Sequence, residues 1–267
     1  MAITLTCTNH PHSGTITVQT SPTTEYSNVD KIRIKRKPTN LGNQSEAFTA
    51  VYLTSILSDD DFNITFEDGL CRNNVEYLYM VEYLRDTSAT NYSVVASKTF
   101  TIKSVFDVML LWDDSGYWKT PLNVSPINFN TIAPYSINTP VNAKKPSMYM
   151  LSQQNYDEGT AKGVWLKMVG PEDKITFETD HNWYYRQQFK SFLTNGKLKI
   201  LKSVSGEMWA VGIKTDTIAD ASLFDTAEID GARQIEFSWF EVGDVNSEED
   251  LYELGFINVS EKYRCGS

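Results

Sequence analysis

Apolar and polar positions alternate in short runs over the first hundred or so residues. Thr15-Ile16-Thr17-Val18 and Lys31 to Lys37 each alternate. Ala47 to Leu57 and Asn63 to Phe66 are strand-like, Glu76 to Tyr83 is rich in aromatic and β-branched residues, and Val94 to Ile102 closes the series. A period of two places one face of each run on a core. Turn signals at Ser21-Pro22, Lys37-Pro38-Thr39-Asn40 and Glu67-Asp68-Gly69 divide the runs. About seven strands over residues 1–103 predict an immunoglobulin-like or fibronectin-type β-sandwich. No Cys…Trp…Cys spacing is present, which favours the fibronectin-type variant.

The pattern changes over residues 104–162. Val105 to Trp112 is an apolar strand. A long irregular stretch follows, spaced by Pro121, Pro126, Pro134, Pro140 and Pro146 and rich in Asn. So long a loop is functional or an extended arm. It reads as a linker and arm that packs on or reaches to neighbouring subunits, with a surface meander as the alternative.

Residues 163–267 form a third unit. Gly163 to Val169 and Lys174 to Phe177 read as strands. Tyr185, Phe189, Phe192 and Leu193 then fall on one face of a helix over about 181–194, with Asp180 as its cap and Asn195-Gly196 as its stop. A hairpin follows, Lys197 to Val204 and Glu207 to Lys214 around Ser205-Gly206, with Trp209, Val211 and Ile213 sharing a face. Gln234 to Val242 is a further strand, and Ser247 to Leu254 suits a short helix stopped by Gly255. The fold class is therefore mostly β (α+β). It comprises an N-terminal sandwich and a C-terminal β-sandwich or barrel with one flanking amphipathic helix.

Composition adds limits. Of 267 residues, 41% are hydrophobic and 22% charged, which is ordinary for a globular chain with a sizeable core. The net charge of -10 repels phosphate backbones, so nucleic acid is not an expected partner. Lys31, Arg33, Lys35 and Lys37 break the trend on one face of a strand. They read as a solvated face or guarded edge, or as a salt-bridging contact to an acidic partner. Cys7, Cys71 and Cys265 form no CxxC pair, so no disulfide framework or zinc cluster is expected. No apolar run approaches a membrane span, and Met1-Ala2-Ile3-Thr4 opens without a basic, apolar leader. Synthesis in the cytoplasm and no membrane partner are the expectations.

No nucleophile elbow, HExxH, P-loop or GxGxxG is present. His10-Pro11-His12 reads as a surface turn and His181 as polar surface at the helix start. Asp59-Asp60-Asp61 and Glu67-Asp68-Gly69 are candidate cation loops, but their spacing is not that of an EF-hand, and solvated turn carboxylates are the plainer reading. No cofactor, metal site or enzymatic activity is expected. Trp112, Tyr117 and Trp118 could stack on a sugar or serve a core or interface.

Arg186 to Lys202, followed by Glu207-Met208-Trp209-Ala210-Val211, resembles tail and baseplate structural proteins of tailed bacteriophages. There a helix ends in a "FLTNGKPKIL"-like motif, and a hairpin with a "G-x-x-W" turn follows. Leu198 stands where that pattern often has Pro. Pro146 to Gly163, Val105 to Asp113 and Asp250 to Ile257 are similar to other segments of the same proteins. The resemblance implies a virion component of the distal tail or baseplate, ring-forming around the tail tube. Its partners would be other tail proteins and copies of itself, with the N-terminal half peripheral. Tyr185, Phe189, Phe192, Trp209, Trp112 and Trp118 are the candidate interface residues. The alternative is a fibronectin-type module that recognises a host glycan or protein through Trp112, Tyr117 and Trp118. A cell-wall-degrading enzyme is a third reading.

Overall fold

The structure, a computed structural model, describes residues 3–22, 28–41, 47–87, 91–122, 125, 127–133, 135–138, 145, 147–150, 155–169, 176–178, 182–222 and 233–259. Among these the chain is mostly β. Asp180, His181, Cys265, Lys174, Ile175, Pro126, Pro134, Pro140 and Pro146 lie outside them, and so do the roles expected of them.

Seven strands build the N-terminal sandwich. β1 (Ile3–His10), β2 (Thr15–Pro22) and β5 (Ile64–Asp68) form a three-stranded sheet in the order β1-β2-β5. β3 (Lys31–Pro38), β4 (Thr49–Ser55), β6 (Glu76–Asp86) and β7 (Tyr92–Lys103) form the facing sheet, in the order β4-β3-β6-β7. Alternation decides what is buried. Ile16 and Val18, Ile32 and Ile34, and Tyr77, Tyr79, Val81 and Tyr83 point inward into one core. β1 was not among the expected strands, although Ile3-Thr4-Leu5-Thr6-Cys7 alternates apolar and polar residues. Ser21-Pro22 ends β2 instead of forming a separate turn.

The basic run lies on β3, which is flanked on both sides and is no edge. Its cations meet carboxylates of the neighbouring β6. Arg33 Nε donates to Glu82 Oε2 at 2.7 Å, Lys35 lies 3.6 Å from the same oxygen, and Lys31 lies 3.4 Å from Asp86. Glu82 is itself buried. The acidic partner of this stripe is therefore the next strand of the same sheet.

The segment 104–162, expected as an apolar strand followed by a linker and arm, supplies four strands of the C-terminal sheet. β8 (Met109–Asp113), β9 (Gly116–Thr120), β10 (Asn128–Ile132) and β13 (Tyr156–Val164) join β16 (Lys199–Lys202), β17 (Met208–Ser222) and β18 (Arg233–Gly243) in one antiparallel sheet. Its order is β10-β13-β18-β17-β16-β8-β9. Leu122, just past β9, bridges to Val164 of β13 and brings the two ends of the sheet together. The C-terminal sheet thus starts near residue 109, not 163. The sequence hides this because β10 is exposed along most of its length and shows no apolar period.

β11 (Tyr135–Asn138) and β12 (Ser147–Met150) pair with each other, outside both larger sheets, as an antiparallel hairpin. β14 (Met168–Val169) and β15 (Thr176–Phe177) form a minimal pair. The helix α1 (Asn182–Leu193) matches the expected span, and Gly196 follows it at φ +76°, the left-handed stop that a side chain would disfavour. The short helix α2 (Glu248–Glu253) starts at Ser247, whose hydroxyl caps the Asp250 N–H at 3.2 Å.

The C-terminal sheet is covered on both faces. Leu201, Trp209, Val211, Phe237 and Trp239 face α1 and meet Phe189 and Phe192. Ile200, Met208 and Ala210 face the other way, onto Leu70 of the N-terminal half and onto Val245, Leu251 and Ile257.

Candidate functional site

The six residues nominated for contact with neighbours do converge in part, but inside the chain. Phe189 is fully buried and stacks on Trp165 with ring centroids 3.8 Å apart. Trp118 lies 4.6 Å from Tyr185 and 5.3 Å from Phe189. Phe192 is buried beside them. Trp209 packs 5.0 Å from Trp239 and donates its indole N–H to Asp157 Oδ2 at 3.0 Å. Trp112 is on the opposite face of β8, 6.1 Å from Phe256 and pressed against Gly69. Phe189, Phe192 and Trp209 are buried in the chain's own core, while Tyr185, Trp118 and Trp112 are half-buried against it. One α1 face serves one sheet, and the closing sheet supplies its partner. Of the trio considered for a sugar platform, Trp112 and Trp118 are half-buried and Tyr117 is exposed.

The motif around the helix stop is held by an acidic residue outside it. Lys199, fully buried, donates to Asp113 Oδ2 and to Asn195 Oδ1, each at 2.8 Å, and lies 4.1 Å from the Phe192 ring. Asn195 also donates to Asp113 at 3.0 Å. Burial works to raise the Asp113 carboxyl, but the bonds from Lys199, Ser115 and Asn195 hold it below the usual range. This cluster locks the end of α1 onto β8.

A second polar cluster sits at the seam between the two halves. Asp68 accepts from Arg36 Nη1 at 2.5 Å, from the Tyr79 hydroxyl at 2.7 Å and from the Leu70 N–H at 2.9 Å. Cys71 Sγ lies 3.2 Å from the Tyr79 hydroxyl, and burial pushes its thiol up to about 12. Lys202 of β16 crosses the seam and donates to the Gly14 carbonyl at 2.7 Å. Burial pushes its ammonium down to about 8. Sequence reasoning passed over Arg36, Asp68 and Lys202 as members of a cluster. Their only sequence signal was a charge at an inward-facing strand position.

The remaining candidates take structural places. His10 Nε2 pairs with Thr17 Oγ1 at 2.9 Å. Asp61 caps the Leu57 and Ser58 N–H groups at 2.7 and 2.8 Å, and these bonds hold its carboxyl low. Glu67 accepts from Thr15 at 2.8 Å. Among the described residues no group of three or more His, Cys, Asp or Glu could hold a metal ion, and no helix is long and apolar enough to cross a membrane.

What the surface does offer is apolar. Tyr135 and Ile137 of β11 are each 55% exposed and Met148 of β12 is 62% exposed. Ile137 and Met148 face each other in the register, so the hairpin presents one apolar side. Trp183 and Tyr184 at the start of α1 are exposed as an edge-to-face pair, 5.8 Å apart.

No protein-family model matches the sequence, and no curated protein matches it. Among solved structures, a chain of the tail of an empty GTA particle, with C6 symmetry, is similar at a TM-score of 0.33 and 8% identity, over 52% of this chain and 92% of that one. A chain of the virion of a native gene transfer agent (GTA) particle is similar at a TM-score of 0.30 and 12% identity, over the same 52% and 92%. Likeness at these scores carries no argument about this chain's role.

Proposed function

We propose that this chain is a structural component of a phage-like virion, in its tail or baseplate, acting by protein–protein assembly and not by catalysis. In this reading the C-terminal sheet with α1 takes part in a ring around the tail tube, and the fibronectin-like N-terminal sandwich is peripheral. Partners are copies of the chain and other virion proteins, not nucleic acid or membrane.

The observation that carries the proposal is the β11–β12 hairpin. An isolated two-stranded hairpin is marginal in water. This one presents Tyr135, Ile137 and Met148 to solvent, and among its described side chains none is buried. Apolar surface so placed fits a partner. Residues 121–155 around it hold two lysines, Lys144 and Lys145, and no carboxylate, against 34 acidic residues in the whole chain. Such a segment suits contact with an acidic protein surface. The likeness of Arg186 to Val211 to phage tail proteins supports the same reading. In the fold that stretch is a helix stop joined to a hairpin, as the resemblance implies.

Light scattering after size exclusion, with and without purified tail tubes, tests it. Self-assembly or tube binding is expected, weakened at least tenfold by Ile137→Asp with Met148→Asp. A strictly monomeric protein that leaves tail tubes unbound at high concentration would sink the proposal.

A further inference from the structure

We propose that Lys199 and Asn195 join through their side chains as an amide, a self-made cross-link in which Asp113 carries the protons. This does not rest on the virion reading. Lys199 Nζ donates to Asn195 Oδ1 at 2.8 Å, so the amide carbon is one bond beyond its partner. Asp113 Oδ2 accepts from Lys199 Nζ at 2.8 Å and from Asn195 Nδ2 at 3.0 Å. One carboxylate oxygen thus touches both the attacking and the leaving nitrogen. The Lys197 N–H donates to Asn195 Oδ1 at 3.0 Å, where negative charge develops during attack. Nζ also lies 3.3 Å from the Lys197 carbonyl. Gly196, at φ +76°, turns the chain so that a hydrogen bond already closes the ring that the amide would close.

A buried ion pair explains Lys199 and Asp113 but needs no side-chain amide bonded to both. Lys202, on the same strand and equally buried, meets a backbone carbonyl instead. Burial lowers the Lys199 ammonium, and a desolvated lysine is a nucleophile once it loses its proton. Asp113 takes that proton. Nζ bonds to the Asn195 Cγ, and the carbonyl electron pair moves to Oδ1. The pair returns as the Cγ–Nδ2 bond breaks. Asp113 passes two protons in turn from Nζ to Nδ2, so ammonium leaves and a secondary amide with one N–H remains. The lost positive charge departs with the ammonium, Asp113 ends as a carboxylate, and no oxidant or cofactor is consumed. Asn195 is exposed, which gives the ammonium a way out. The bonds that hold the Asp113 carboxyl low make the first proton transfer uphill, so the closure is slow.

The experiment uses the full chain, as purified and after prolonged incubation in its folded state. It is then unfolded and cut with trypsin, which cleaves after Lys190, Lys197, Lys199 and Lys202 in an unlinked chain, and the peptides are weighed. The expected product keeps residues 191–202 in one piece, uncut after Lys199 and lighter by one ammonia. A cyclic imide between Asn195 and Gly196 loses the same ammonia but releases 191–197 as a separate peptide. Asp113→Asn should slow the closure about a hundredfold or more. Lys199→Arg keeps the cation, cannot form the bond and should abolish the product. Should either variant fail to fold, the wild-type peptides decide alone. Separate 191–197 in the incubated wild type, with or without its ammonia, would overturn the proposal. So would the ammonia loss persisting in Lys199→Arg, or closure as fast in Asp113→Asn as in the wild type.

Discussion

Arg36 of β3 and Asp68 of β5 join the two sheets of the N-terminal sandwich through its interior, Nη1 to Oδ2 at 2.5 Å, with both side chains buried. Arg36 follows Ile32 and Ile34 on the inward face, so a cation occupies a position that the strand period assigns to the core. Tyr79 and the Leu70 N–H complete the carboxylate's partners. A buried pair satisfied in this way is costly to break on one side only.

Asp68→Ala is expected to destabilise the chain by about 3–5 kcal/mol, because it strands the Arg36 guanidinium. Urea unfolding checks this. The pH dependence has a definite sign. Burial works to raise the Asp68 carboxyl, but Arg36, Tyr79 and Leu70 hold it lowered. Its contribution is complete above about pH 4, the unfolded value, and is lost as pH falls through the folded value. The acid limb of wild-type stability should therefore be steeper than that of Asp68→Asn.

Lys202 gives a slope of the same sign in a different window, at high pH. Its folded value of about 8 lies below the ordinary 10.5. Between those values the unfolded chain holds a proton that the folded chain has released, so stability from this group rises with pH through that window. The span corresponds to about 3 kcal/mol. Lys202→Met should flatten the rise, as measured by denaturant midpoints from pH 7.5 to 10.5.

Phe189 and Trp183 lie on one helix and should behave differently. Phe189→Ala opens a cavity against Trp165 and Trp118 and is expected to cost about 3–5 kcal/mol in chemical denaturation. Trp183→Ala removes an exposed ring and should stay within about 0.5 kcal/mol. Equal losses at both sites would contradict the division between core and surface described above.

Gly159 lets β10 approach β13. A Cβ there would lie 1.9 Å from the Asn128 carbonyl oxygen, which is backbone and has little room to move. Gly159→Ala should detach β10 while leaving the rest of the sheet paired. Amide exchange checks this: the β10–β13 ladder should lose protection while that of β17–β18 is kept.

The alternating runs at Thr15, Lys31 and Glu76, and the helix from Tyr185 to Leu193, could be found from the amino acids because each buries one face against one layer. A single covered face leaves a period of two or 3.6 in the chain. Lys199-Ile200-Leu201-Lys202 shows where this stops. All four are buried, since the sheet is covered on both sides, and two of them are lysines. No period predicts that, because the partners Asp113 and Gly14 lie 86 and 188 residues away.

Local pattern was therefore enough for a mostly β chain, a sandwich at its start and one amphipathic helix before a hairpin. Those features depend on which residues neighbour one another along the strand or helix. Tertiary structure alone decided that β3 is central, that the stretch after residue 104 enters the C-terminal sheet, and that Phe189 and Phe192 of α1 and Trp209 of β17 face inward. It also decided that the β11–β12 hairpin stays outside and that Asp113 meets Lys199. Each of these turns on which distant segment supplies the missing hydrogen bond or apolar face, and that choice is made only when the sheets close.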